Sequence, residues 1–311
     1  MDEGSFSAAA RRLNRVQSAV SGWVSSLEGQ IGVVLFDRSG RYPKLTPEGV
    51  LLLADARNVV SGVDTLKARA RLMSAGLEAE LSVVVDVFFP TALVSAAAKA
   101  FVSRFPLTPL RLFVEGLGAG YEPVLDGRCS LGILAPLAVE FPSLSSESIG
   151  QVVLVTVAAP DHPLASFRRT IPKAALARHV QLVLTDRSEL SAGRDFGVKS
   201  ASTWRLADLS TKHAFLRDGV GWGNMPMHMV QSDLANGALV SLDVEDMLPA
   251  GFSLTMAAFR RASEPPGPAA RWLVDDLKAR FANEATDASG PSPTRPKRAK
   301  PASPSGAPPP G

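Results

Sequence analysis

The sequence predicts an α/β protein in two parts: a small helical front end running into a long helix, and a larger body in which strands and helices alternate. Three observations predict it. Apolar residues recur at helical spacing through residues 16–31 and again, as a heptad stripe, from Leu52 to Met73. From residue 80 onward, short β-rich runs alternate with helical stretches, the pattern of α/β units on a mostly parallel sheet. The chain has 311 residues and 46% hydrophobic content, which at ~150 residues per domain is material for roughly two cores. The single cysteine, Cys129, can form neither an intramolecular disulfide nor a cysteine-based metal cluster. The first 30 residues carry Asp2, Glu3, Arg11, Arg12 and Arg15 without an apolar core of signal-peptide length, and no segment approaches the ~20 apolar residues of a membrane span. A soluble cytoplasmic protein is expected.

At the front, Ser7–Leu13 reads as a brief Ala-rich helix with Ser7 as its N-cap, joined through Asn14 and Arg15 to a second helix. In that helix Val16, Val20, Trp23, Val24, Leu27 and Ile31 form the core face, while Gln17, Ser18, Ser21, Gly22 and Ser25 form a short polar outer face. Such a pair suits a helix-turn-helix whose second helix enters the major groove of DNA; an ordinary helical hairpin is the competing reading. The next residues favour DNA. Val33–Asp37 reads as a strand, Arg38-Ser39-Gly40-Arg41 as a turn and Tyr42–Leu45 as a second strand, a basic wing that would bring Arg38, Arg41 and Lys44 near phosphates.

Thr46-Pro47-Glu48 then combines an N-cap, a proline at the first helical position and an acid in the first turn. The helix it opens is expected to reach about Ser74, a length of ~40 Å. Leu52, Ala56, Val59, Val63, Leu66, Ala70 and Met73 repeat along it by fours and threes. So narrow a seam fits a partner helix better than the chain's own body, which predicts dimerisation and two recognition helices for a two-fold DNA site.

In the body, strands are expected at Leu81–Val87, Leu110–Val114, Leu131–Leu134, Val152–Ala158, Val180–Leu184 and Phe252–Phe259, with helices at Pro90–Arg104 and near 121–127, 208–217, 226–236 and 267–282. Around 200 residues of this kind make two small lobes, with ligands beyond the carboxyl ends of the strands. After about residue 282 the chain turns rich in proline, with no aromatic residue and no aliphatic one larger than alanine from 285 on, so 283–311 is expected to be a disordered basic tail. Its run Arg295–Lys300 is more simply solvated than bound to nucleic acid.

The formal charge of +3 divides into +3 over residues 1–75, −3 over 76–284 and +3 over 285–311. Residues 5–46 alone carry +4, yet Gln17 to Glu28 holds no Lys or Arg. A weak individual half-site, made adequate by dimerisation, is the expectation.

The stretches Ser5-Phe6-Ser7-Ala8-Ala9-Ala10-Arg11-Arg12-Leu13-Asn14, Gln17-Ser18-Ala19-Val20-Ser21, Leu35-Phe36-Asp37-Arg38 and Leu45-Thr46-Pro47-Glu48-Gly49 closely resemble the LysR-type transcriptional regulators. Weaker matches continue in the body at Phe105-Pro106, Asp161-His162-Pro163-Leu164-Ala165, Gly219-Val220-Gly221-Trp222-Gly223-Asn224-Met225-Pro226 and Gly237-Ala238-Leu239-Val240, so the resemblance covers about residues 4–282. It implies an N-terminal winged helix-turn-helix over 1–46, a long linker and dimerisation helix over 47–75, and a two-lobed, periplasmic-binding-protein-like α/β effector domain over 80–282. The lobes would be about 80–153 with 253–282, and 154–252. Implied partners are double-stranded promoter DNA, a small-molecule effector and further copies of the chain, as homodimer and homotetramer, with no cofactor, metal or membrane.

Family members carry a further helix before the position of Gly4, so part of the packing of Ala8, Ala9, Val20 and Val24 is expected to be lost. Val16 stands where an N-capping serine is usual, a loss of ~1 kcal/mol, and basic residues are common at the positions of Gly22 and Ser25. Within the effector domain the resemblance points to Asp86, Phe88 and Thr91 after the first strand, Gly116 and Leu117 after the second, Leu134, and Thr185 in the second lobe. Thr91 could offer donors to an anion, whereas Asp86 favours a cationic or hydrogen-bond-donating effector. Phe88 and Trp222 suit an aromatic ligand, although apolar core is the simpler role for each.

The competing class is an α/β solute-binding or oxidoreductase-like protein with a degenerate front end. Its chemistry is poorly supported. Glu115-Gly116-Leu117-Gly118-Ala119-Gly120-Tyr121 places a tyrosine where a dinucleotide loop needs its third glycine, and Gly219–Gly223 fails in the same way. His162, His179, His213 and His228 have no metal-ligand spacing and no motif-bound nucleophile beside them. Cys129 reads as a small buried hydrophobe, with redox sensing as the alternative.

Overall fold

The computed structural model describes residues 3–40, 42–137, 139–185, 188–191, 196–245 and 251–288, and falls into two compact units that divide between Gly76 and Leu77. In the first, α1 (Phe6–Arg12) is capped by Ser5 rather than Ser7: the Ser5 hydroxyl accepts from the amide of Ala8, the three-residue reach that capping requires. Asn14 makes the turn at φ 52°, a left-handed conformation its short polar side chain tolerates. The second helix, α2 (Gln17–Ile31), starts after Val16 with no side-chain cap and closes on Gly32 at φ 73°. Its expected core face is only partly covered. Val20 is buried, but Val16, Trp23, Leu27 and Ile31 are exposed, because a seven-residue α1 spans only half of a fifteen-residue partner.

The wing is a two-residue antiparallel pair, β1 (Phe36–Asp37) with β2 (Lys44–Leu45), shorter than the expected Val33–Asp37 and Tyr42–Leu45. The amides of Leu35 and Phe36 donate to the Glu28 carboxylate at 2.8 and 3.0 Å, which ties this segment to α2. Thr46 caps α3 (Pro47–Ser74) through a 3.0 Å bond from Gly49. Gly49 is required there: a Cβ would lie 2.3 Å from the carbonyl oxygen of Leu35.

The second unit runs β3 (Leu81–Asp86), α4 (Thr91–Arg104), β4 (Leu110–Glu115), α5 (Gly118–Leu125), β5 (Leu131–Leu134), β6 (Leu144–Ala158), α6 (Lys173–Leu176), β7 (Gln181–Leu184), β8 (Thr203–Leu206), α7 (Leu209–Arg217), β9 (Trp222–Pro226), α8 (Met227–Asn236), β10 (Val240–Ser241), β11 (Phe252–Arg261) and α9 (Pro268–Ala288). The sheet order is β4-β3-β5-β11-β6-β9-β7-β8, with β10 also beside β6. Only the two ends are parallel, β4-β3-β5 and β9-β7-β8; the centre is antiparallel, which corrects the expectation of a mostly parallel sheet. The cause is β6, fifteen residues long where seven were expected. Its first half, Leu144 to Gln151, is too polar to read as a strand, yet it pairs with β11 through to Arg261.

Two cores flank this central pair. Ile149 and Val152 of β6 pack with Leu81, Phe101 and Leu273, and Val155 and Val157 of the same strand pack with Leu182, Leu216 and Met225. β8, β9 and β10 were not anticipated; β9 lies inside the glycine-rich run 219–226. The last helix extends through Ala288, six residues into the expected tail, because Ala282, Ala285 and Ala288 favour helix and nothing stops it before Gly290-Pro291. Residues from 289 on, the basic run included, lie outside the described residues.

Glu78 caps α9 from a distance, accepting from the amides of Ala269 and Ala270 at 3.0 and 2.9 Å. Glu78→Ala leaves those donors unpaired and removes a carboxylate from the positive end of the helix. A loss of about 1–2 kcal/mol is expected in urea unfolding; an unchanged midpoint would show the cap to be energetically idle.

Candidate functional site

On the first unit, Gln17, Ser18, Gly22 and Ser25 form an exposed face of α2, with Ser21 half-buried beside them. Gly22 has open space around it, so no contact within the chain demands a glycine there. Arg38, expected from the sequence to lie near phosphates, is engaged within the chain. Its guanidinium pairs with Glu28 at 2.9 Å, donates to the hydroxyls of Ser25 (3.1 Å) and Ser21 (3.4 Å), and lies over the ring of Phe6. Glu28, counted from sequence only as an opposing charge, is therefore the residue that holds wing to helix. Burial would raise its carboxyl, but the amides of Leu35 and Phe36 and then Arg38 outweigh that and hold it below the usual range. Lys44 stands exposed on the wing, and Arg41 lies outside the described residues.

Along α3 the seam residues Leu52, Ala56, Val59, Val63, Leu66, Ala70 and Met73 are all exposed. Val59 and Leu66 are 67% and 66% accessible, far beyond ordinary for large aliphatic side chains in a finished core.

The second unit holds a cavity of about 380 Å³ between the end of β3 with residues 135–137 on one side and β7, α7 and β9 on the other. Phe88, Phe196, Phe252, Leu154 and Leu254 make it largely apolar, and Asp86, Gln181, Lys212 and Asn224 supply its polar points. Asp86, 4% exposed, accepts from the amides of Phe88 (2.9 Å) and Ala135 (3.4 Å). Burial pushes its carboxyl up to about 6, and the two amides only partly offset this. Tyr121, the residue that breaks the dinucleotide pattern, fixes the adjoining wall: its hydroxyl donates to the carbonyl of Ala135 and accepts from the amide of Leu137.

Lys212 is 3% exposed, and its Nζ donates to the carbonyl of Asn224 at 2.8 Å. Burial pushes its ammonium down to about 8. Asp208 starts α7 by capping Thr211, and Leu209, Lys212 and Leu216 then form the buried stripe of that helix. Gly223 makes room for the lysine stem, since a Cβ there would lie 3.2 Å from Lys212 Cε and 2.7 Å from the Leu182 carbonyl oxygen. Gln181 is engaged structurally: its Oε1 accepts from Lys199 and Ser200 and its Nε2 donates to Gly197.

Of the effector positions expected from sequence, Asp86, Phe88 and Leu117 line this cavity. Leu134 does not; it is fully buried and packs against Gly120 and Gly132. Trp222, 1% exposed, belongs to the core with Leu164, Ile171 and Leu176. Thr91 is exposed at the start of α4, Gly116 packs on Val87 and Leu184 behind the wall, and Thr185 continues past β7 bonded to Leu206, so none of the three reaches the lining. Lys212 and Asn224 were missed. A charge at the centre of the Leu209-x-x-Lys212-x-x-x-Leu216 stripe was the available signal for the first; Asn224 depended on recognising β9.

Among the described residues no three His, Cys, Asp or Glu side chains gather to hold a metal. His162 stacks edge-on with His179 and accepts from the amide of Leu164, while His213 pairs with Asp233 at 2.6 Å. Cys129 is fully buried and its thiol is pushed up to about 11, which leaves almost no thiolate for redox chemistry at neutral pH.

Comparison with known proteins agrees with both units. Residues 1–50 match the bacterial regulatory helix-turn-helix protein model of the lysR family, and residues 74–282 match the LysR substrate binding domain. The chain belongs to the LysR-type transcriptional regulators. It is 31% identical to the uncharacterised regulator YeeY of Escherichia coli over 78% of this chain and 79% of that one, and 29% identical to the probable regulator YhaJ of the same organism over 89% and 92%. In fold it resembles Corynebacterium glutamicum OxyR (TM-score 0.55, 20% identity, 91% and 90% covered) and the MetR regulatory domain of Neisseria meningitidis (TM-score 0.53, 15% identity, 66% and 94% covered). As a LysR-type regulator it is a DNA-binding transcription factor with a winged helix-turn-helix and an effector-binding domain, which displaces the solute-binding and oxidoreductase alternatives.

The two buried charges of this regulator set opposite pH dependences. Between about pH 8 and 10.5 the unfolded chain keeps a proton on Lys212 that the folded chain has released, so stability rises with pH across that window. Between about pH 3.8 and 6 the folded chain holds a proton on Asp86 that the unfolded chain lacks, so stability falls as pH rises. Lys212→Met should flatten the first slope and Asp86→Asn the second in urea titrations of the full chain; variant curves parallel to wild type would contradict the burial argument.

Proposed function

We propose that this LysR-type regulator reads two-fold promoter DNA through α2 and the wing, as a homodimer or homotetramer in the cytoplasm, under control of a small molecule in the second unit's cavity and without catalysis. The observation that carries this reading is the exposed polar face of α2, Gln17, Ser18, Gly22 and Ser25, beside the exposed Lys44. A short polar helix face next to a cationic wing fits a major groove and its flanking phosphates. The expected phosphate contacts fall mainly on Lys44 and Arg41, since Arg38 is already neutralised by Glu28.

Self-association has two supports. The seven seam residues of α3 are exposed, and β4, an edge strand paired only with β3, shows Leu112, Phe113 and Val114 to solvent with Val102 of α4 also exposed. Two separate apolar surfaces on one chain are what a tetramer needs. The cytoplasm follows from the DNA target; no described helix is long and apolar enough to cross a membrane.

A gel-shift titration with the DNA upstream of the protein's own or a neighbouring gene tests the whole reading, and absence of specific binding would overturn it. Lys44→Ala should weaken binding to every sequence alike and lower the log–log salt slope by about 1 per half-site. For the seam, Leu66→Asp should convert dimers to monomers in sedimentation and reduce operator affinity along with it; a wild-type chain that sediments as a monomer would dismiss the seam.

A further inference from the structure

Lys212 is an ammonium taken out of water, and no counter-charge pairs with it among the described residues. Its one acceptor among the described residues is the Asn224 carbonyl, which leaves two of its three donors unmatched by those residues. It lines the cavity, and the nearby polar side chains do not compensate it: Gln181 is committed to residues 197–200, and the Asn224 side-chain oxygen accepts from Thr156. Removing a charge from water costs several kcal/mol unless a partner or water answers it. A lysine serving only the core could be replaced there by methionine or leucine with better packing, as Leu209 and Leu216 on the same stripe illustrate.

Resting on the reading of this cavity as the effector site, we infer that the effector is a small monocarboxylate, its anionic group paired with the Lys212 ammonium and its apolar body lodged among Phe88, Phe196, Phe252 and Leu254. The remaining lining selects within the anions. A phosphate carries more charge than one lysine answers and would ask for arginine or clustered backbone donors. Asp86 shares the cavity from the other wall, and a second negative charge on the ligand would meet it. A single carboxylate at the α7 end, with an uncharged or donor-bearing far end towards Asp86, satisfies both walls. The acid seen from sequence alone pointed to a cationic or donor ligand; the lysine opposite restores an anion-binding end.

Isothermal titration of the full chain with phenylacetate and phenylacetamide, cinnamate and cinnamamide, and octanoate and octanamide, at fixed ionic strength, tests this. The acids should bind and their amides bind roughly ten- to hundredfold more weakly. In Lys212→Met that preference should vanish, while the apolar body keeps any residual affinity. Should Lys212→Met fail to fold, the acid–amide comparison in wild type still decides. Amides that bind as well as the acids, or a preference that survives in Lys212→Met, would overturn the carboxylate assignment and leave the cavity as the effector site. If no compound of either series binds, both the ligand class and the cavity as effector site are rejected.

Discussion

The pairing of β6 with β11 is the constraint on which the effector unit depends. These strands are antiparallel from Leu154 opposite Phe252 to Leu144 opposite Arg261, and β6 crosses from one core to the other. Each lobe's remaining strands join their outer edges, β5 on β11 and β9 on β6. A slip of one residue would turn the inward face of β6 outward at both cores at once. Gly251, at φ 90° and with a Cβ position 2.3 Å from the Leu154 carbonyl oxygen, marks where β11 must enter this register. The cavity sits beside that crossing and is lined by Leu154, Phe252 and Leu254 from the paired strands themselves. Its floor is therefore as rigid as the sheet, while its two walls belong to different lobes.

The first unit has an analogous dependence on a smaller scale. Glu28 gathers the amides of Leu35 and Phe36 and the Arg38 guanidinium, and so sets the angle at which the wing leaves α2. The same arrangement pairs one of the few cations of this unit with a carboxylate. The local charge of +4 thus includes one cation already paired within the domain, which under the proposed reading would leave less for phosphates. Multiplying half-sites by self-association compensates, which is consistent with an α3 whose apolar seam is wholly exposed.

The front-end motif, the long capped helix and most body elements were legible in the sequence because each is a local pattern: a heptad stripe, an N-cap with proline, an apolar run. What escaped was non-local. The polar half of β6 is a strand only because β11 lies beside it, and β9 is a strand despite Gly223 because β6 and β7 flank it. Gly221 and Gly223 serve close approach there, to the carbonyls of Val180 and Leu182, rather than flexibility. The binding site suffered most from this. Of the cavity's lining, Asp86, Phe88 and Leu117 lie at or after strands of the first lobe that were visible, whereas Lys212 and Asn224 belong to a wall formed partly by an unseen strand. Leu134 and Trp222 were misplaced because proximity to a strand end does not reveal which face of the sheet a side chain takes.

Asp86 and Lys212 approach one cavity from different lobes, and each has its charged form disfavoured by burial. Burial leaves both poorly solvated, so the unit forfeits stability that a better packed core would keep. A ligand complementary to the two recovers that loss on binding, and only when both walls are close enough to reach it. Under the proposed effector reading, its affinity would differ between any two arrangements that set the walls at different separations. That difference is the sole currency in which a ligand can shift a conformational equilibrium. Purely apolar filling of the cavity would bind through the rigid floor and discriminate little between the two. Charges placed one per lobe make the discrimination large, which gives a physical reason for a regulator to tolerate them in its interior.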